Sequence, residues 1–258
     1  CMQVNLGLKA SYLLLTALGV LFSTLFLIYK DEWFGALFSD VSAGLFVSLA
    51  IIFFIDRTIE RNKEKERLRI VKIALKRLHY PIMWHMTLLC NIYKASAQNK
   101  PTPLPTTYNE TFTDDYYEEI RFLDFEKDAP VDPKRNWFMH FDIKMKSFKE
   151  KVERVLDTYS VSLDVELIEI LERIINSRFF LFISQTMFLP AIDRQYKIKR
   201  TYTMLWGMEE YVKEHVSDML KLVEYFNSHG DSQIKLIQGI WGDQQAPTWG
   251  SARAQAKQ

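Results

Sequence analysis

The chain is poor in the residues from which most recognisable sites are built. Its 258 residues include two cysteines, Cys1 and Cys90, too few for a disulfide framework or a cysteine-based metal cluster. Nine glycines are scattered along it, and none forms a phosphate-cradling loop or a nucleophile elbow. His79 and His85 fall on different faces of a helix, with no carboxylate or cysteine spaced to complete a metal site. No cofactor is expected from this inventory. The formal net charge of +1 excludes a global excess that would draw nucleic acid or an acidic partner. Alternating strand patterns are missing too, so the fold class is expected to be all-α.

What is present is unevenly distributed. Residues 1–55 carry only Lys9, Lys30, Asp31, Glu32 and Asp40 as charges, the signature of a membrane segment joined to a water-soluble domain. The uncharged run Ala10–Tyr29 has the length of one bilayer crossing. A secretory signal peptide is the competing reading of one lysine before an apolar run, but a second run follows at once. Trp33–Ile55 is that second run, interrupted only by Asp40. The pattern predicts a transmembrane hairpin over 1–55, with spans at about 10–29 and 33–55 and Lys30-Asp31-Glu32 as its turn. Tyr12, Tyr29 and Trp33 stand where interfacial aromatic anchors are expected.

Between Asp56 and Arg77 nine bases face four acids. Positive flanks stay cytoplasmic, so both termini are expected inside a plasma membrane crossed twice, which leaves the Asn109-Glu110-Thr111 sequon idle. Asp40 lies about 10 Å inside the second span at 1.5 Å per residue. A lipid-facing carboxylate there costs a few kcal/mol, so it is expected either to stay hydrated near the interface or to line a path between subunits. Gly35, Ser39, Ser42, Ala43 and Gly44 beside it would permit close helix contact.

The helix is expected to leave the membrane as a stalk over 56–98. Leu68, Val71, Leu75, Leu78, Ile82, Met86, Leu89 and Tyr93 recur at spacings of three and four, one apolar stripe. Arg57, Arg61, Lys65 and Arg69 on its charged face are candidates for lipid-headgroup contact. Pro81 lacks an N–H and its ring crowds the preceding turn, which predicts a kink near Arg77–Tyr80. Residues 99–136 read as an acidic, proline-rich loop region with a short helix at Asp115–Phe125, either solvated or a docking surface for a basic partner. A helical bundle is expected over 137–241, with helices at Trp137–Tyr159, from Ser162 to Pro190, and Tyr202–Asn227. His229-Gly230 then acts as a stop signal. The segment Arg178–Leu189 is apolar on nearly every side and is expected at the bundle centre or against the membrane surface. The tail, 242–258, has a disorder-prone composition.

Two resemblances bear on function. "RNWFMH", Arg135 to His140, is similar to the Arg-(four residues)-His pattern of HEPN ribonucleases. That resemblance implies Arg135 and His140 acting across a dimer on the RNA 2′-hydroxyl and scissile phosphate, with histidine as the proton shuttle. The alternative is a helix start whose His140 packs among Trp137, Phe138 and Phe141. The seven bases against three acids in Lys134–Arg154 read as a solvated face or a nucleic-acid contact. The overall layout, from Lys9 to about Lys94, resembles small bacterial two-span effectors of anti-phage defence, the SLATT-type and retron-linked ones included. This implies an inner-membrane homo-oligomer whose cytosolic domain binds a regulatory protein or nucleoprotein partner and whose spans permeabilise the membrane, as a pore-forming toxin does. A non-catalytic membrane scaffold or sensor subunit is the third reading.

Overall fold

The computed structural model describes residues 2–28, 33–186, 188–237 and 240–241. Among them every regular element is helical: α1 (Met2–Ile28), α2 (Trp33–Ser96), α3 (Tyr108–Thr111), α4 (Asp114–Ile120), α5 (Trp137–Tyr159), α6 (Val165–Ile175), α7 (Arg178–Thr186), α8 (Leu189–Tyr196) and α9 (Glu209–His229). The chain divides into two compact units, Cys1–Leu68 and Arg69–Gln258. The anticipated turn at Lys30-Asp31-Glu32, Tyr29 and the tail from Gly242 lie outside the described residues, as do the side chains of Lys9, Trp33 and Gly35.

In the first unit the contacts between α1 and α2 run in opposite order along the two helices. Tyr12 Oη reaches Asp56 Oδ2 at 3.4 Å, Ser23 Oγ meets Ser42 Oγ at 2.6 Å, and Phe22 packs on Phe38 with ring centroids 6.1 Å apart. Small residues set the closest approach. Ser42 Oγ also lies 3.5 Å from the Gly19 carbonyl, and a Cβ on Gly19 would sit 3.5 Å from the Phe46 ring. The close contact therefore uses Gly19, Ser23 and Ser42, whereas Ala43 and Gly44 are exposed.

In the second unit the stripe on α2 faces a core as its spacing predicts: Val71, Leu75, Leu78, Ile82, Met86, Leu89 and Tyr93 are all buried. Leu68, at the end of the first unit, is exposed instead. α2 continues through Pro81 as one helix to Ser96. α9 is the hub, packing on α4, α6 and α7, while α5 packs on α6 and α7. Its buried face comprises Val212, His215, Val216, Met219, Leu222, Val223, Tyr225 and Phe226. Gly230 ends it because a side chain would not fit: a Cβ there would lie 2.7 Å from the Phe226 carbonyl oxygen, which accepts the Gly230 N–H.

Three segments differ from expectation in detail. The segment 99–136 lies between α2 and α5 with only the short α3 and α4 in it, but it is not solvated throughout: Tyr108, Phe112, Tyr116, Ile120, Leu123 and Phe125 all join the core. Their aromatic area outweighs the acids of α3 and α4, of which Glu110, Asp114, Asp115 and Glu118 are exposed. The helix after Ser162 stops at Ile175, because the Ser177 hydroxyl accepts the Phe180 N–H at 3.3 Å and starts α7 in the manner of an N-cap. α7 is also one-sided, with Phe179, Phe180 and Ile183 buried and Leu181 exposed. The last long helix begins at Glu209, not Tyr202. Tyr202 is held instead by Asp193, whose buried carboxylate accepts its hydroxyl at 2.7 Å and the Arg200 guanidinium at 2.7 Å. Burial, then this carboxylate, raises the Tyr202 hydroxyl to about 12.

Candidate functional site

The first candidate region is the apolar surface of the first unit. Leu13, Leu14, Val20, Leu21, Leu27 and Ile28 of α1 are each more than half exposed, as are Leu37, Val47, Ile51, Phe53, Phe54 and Ile55 of α2. Soluble chains rarely leave so continuous an apolar surface uncovered. Among the described residues, Ala36–Ser96 is the one helix long and apolar enough to cross a membrane, and Tyr12–Ile28 is a shorter apolar helix. Asp40 sits within this surface and is exposed. Phe38 and Ser42 both meet α1, and at 100° per residue Asp40 lies about 200° from each. Its carboxylate therefore occupies the face of α2 turned away from α1.

Arg57, Arg61 and Lys65 follow on α2 at four-residue spacing, all exposed, and Arg69 opens the second unit in the same series. Each step of four residues advances about 40° around a helix, so the three cations of the first unit form a slowly turning basic stripe.

The Arg135–His140 segment is the second candidate. Asn136 is the N-cap of α5, its side chain accepting the Met139 N–H at 3.0 Å. The asparagine of the motif thus has a local task. His140 is 4% exposed and lies edge-on to Trp137, with ring centroids 5.7 Å apart. Burial lowers its pKa to about 4, and the positive charges of Lys144 and Arg135 push the same way. The imidazole is neutral at physiological pH. Three enclosed polar atoms here have no hydrogen-bond partner: Arg135 Nε, Trp137 Nε1 and His140 Nδ1.

A third cluster joins residues that sequence reasoning treated singly or not at all. His85 of α2 and His215 of α9 meet Nε2 to Nε2 at 2.8 Å, both buried. Phe148 of α5 stacks on the His85 ring at 4.3 Å and Phe180 of α7 at 5.9 Å. The Ser177 hydroxyl lies 3.2 Å from His215 Nδ1. Burial drives the His85 pKa down to about 3; burial and the His85 charge drive that of His215 well below its ordinary value. The partners stand 130 positions apart, so no local pattern could pair them. Among the described residues no three histidine, cysteine or acidic side chains converge to hold a metal ion. No family model, curated protein or solved structure matches this chain.

Proposed function

We propose that the chain is a two-span effector of a bacterial inner membrane, in which α1 and the first part of α2 form a hairpin in lipid and both termini are cytoplasmic. The exposed apolar surface of the first unit carries this reading, since water would penalise it at roughly 25 cal/mol per Å². The exposed bases Arg57, Arg61 and Lys65 of the first unit, with Arg69 next in the sequence, support it as the cytoplasmic, headgroup-contacting flank. Asp40 refines it. A carboxylate turned away from α1 and toward lipid would cost a few kcal/mol, so it faces a second copy or a hydrated path. The protein then acts as a homo-oligomer that permeabilises the membrane when its helical cytosolic unit meets a regulatory partner, in keeping with an anti-phage role.

The test is dye release from liposomes holding full-length protein, together with membrane depolarisation in expressing cells. Asp40→Asn is expected to abolish both without changing membrane insertion, and His140→Ala to leave both intact. A full-length chain that purifies as a monomer without detergent refutes the reading.

A membrane-tethered ribonuclease using Arg135 and His140 is the second reading, favoured by the three orphaned polar atoms at that helix start. It requires RNA cleavage by the full-length protein that His140→Ala eliminates. Loss of leakage in Asp40→Asn with no nuclease activity in the parent chain excludes it.

A further inference from the structure

Four large apolar side chains of the second unit stand in solvent within one short stretch: Phe188 at 68% exposure, Ile192 at 44%, Tyr196 at 67% and Ile198 at 45%. Phe188 has helical dihedrals just ahead of α8 (φ −86°, ψ −16°), so Phe188, Ile192 and Tyr196 follow at four-residue spacing on one helical path. At 100° per residue they share an arc of about 80° on one face of α8. Asp193, 1% exposed, marks the side turned inward. An apolar face that the fold leaves uncovered beside charged groups reads as an interaction surface.

The turn after α8 is built to extend that face. The Lys197 N–H reaches the Arg194 carbonyl at 3.4 Å and the Ile198 N–H reaches the Asp193 carbonyl at 2.9 Å. With Lys197 left-handed at φ 56°, these are the crossed hydrogen bonds of a Schellman turn. The hydrophobe after the left-handed residue often packs back on the helix in such a turn, yet Ile198 remains open. Asp193 then fixes the chain beyond, accepting the Arg200 guanidinium and the Tyr202 hydroxyl, each at 2.7 Å.

Charge decides what the face fits. Residues 188–200 hold four bases, Arg194, Lys197, Lys199 and Arg200, all exposed, and one acid, Asp193. That acid is buried and already met by Arg200. Neither Lys197 nor Lys199 enters an ion pair among the described residues. The outward charge is therefore of one sign, and it surrounds apolar side chains.

We infer that α8 and its C-terminal turn form a docking surface for an anionic lipid interface. Phe188, Ile192, Tyr196 and Ile198 enter the boundary between headgroups and acyl chains, while the bases stay at the phosphates on their long stems. A nucleic acid would engage the bases and the two rings but leave Ile192 and Ile198 in water; lipid takes all of them. The choice of lipid over another acidic partner rests on the membrane reading of the first unit. Each base close to an anionic surface strengthens attachment roughly fivefold.

The experiment places an environment-sensitive fluorophore on full-length Cys1→Ser, Gln195→Cys protein; Gln195 is exposed between Ile192 and Tyr196, and Cys90 is buried. The protein is reconstituted into vesicles of phosphatidylcholine alone or mixed with phosphatidylglycerol, and flotation checks incorporation. In the mixed vesicles the emission should rise about twofold and be quenched by brominated acyl chains, with little response in phosphatidylcholine alone. Raised salt, or Lys197→Gln with Lys199→Gln, should remove most of the rise. Phe188→Ser with Ile192→Ser should remove the quenching. Protein that floats in both vesicles with a silent probe overturns the docking surface and leaves the membrane reading standing. Protein that fails to float with phosphatidylcholine but responds to mixed vesicles upholds the surface and refutes the hairpin. A response that follows protein density rather than lipid charge assigns the face to a second copy, and one that needs added RNA assigns it to nucleic acid; either overturns the inference.

Discussion

Lowering the pH from 7 to 5 should destabilise the second unit severely, through the His85–His215 pair. In the folded chain both rings are neutral, with burial holding His85 near 3 and His215 well below its ordinary value. In the unfolded chain both titrate near 6.5. Below that value the unfolded state takes up protons that the folded state refuses, so stability present above pH 6.5 is lost as the pH falls toward the folded values. Between pH 7 and 5 one such ring contributes a loss of about 1.9 kcal/mol, and two contribute about 3.8 kcal/mol. Against a typical total of about 5–15 kcal/mol this is a large share. Urea titration of full-length protein in detergent at a series of pH values, followed by near-ultraviolet circular dichroism, measures the loss. His85→Leu with His215→Leu removes the two titrating groups, and the difference in pH slope between parent and variant isolates their part. The reasoning fails if parent and variant show the same slope. It fails equally if imidazole NMR of the native chain shows either ring protonating above pH 5.

Two further outcomes concern the second unit alone. Asp193→Ala strips Tyr202 and Arg200 of their shared acceptor and should cost about 2–3 kcal/mol by urea midpoint, since hydrogen bonds to a buried charge lie in that range; a loss under about 0.5 kcal/mol refutes the anchoring role. Lys197 caps α8 with a positive φ of 56°, so Lys197→Gly should relieve about 1–2 kcal/mol of left-handed strain against about 0.5–1 kcal/mol of added chain entropy. The expected net gain is about 0–1.5 kcal/mol in the same assay, and a measured loss contradicts it.

The sequence disclosed most where a single helix decided its own burial. The stripe from Val71 to Tyr93 and the bounds of α5 are legible because an apolar face repeats at helical spacing and Asn136 caps its helix locally. The break at Asn176-Ser177 was masked by unbroken hydrophobicity on both sides, although an Asn-Ser pair is a cap signal in itself. Residues 99–136 misled for the opposite reason: acids and prolines dominate the composition while the interleaved aromatics decide the packing. Of the site residues, Asp40 stood out as a charge in an apolar run.

Cys90 is fully buried, with its thiol pushed up to about 12 by that burial. A disulfide reagent attacks only a thiolate it can reach, so this sulfur stays silent while the helices around it remain closed. In a Cys1→Ser background its labelling rate becomes a clock for spontaneous opening of the second unit, readable without any denaturant.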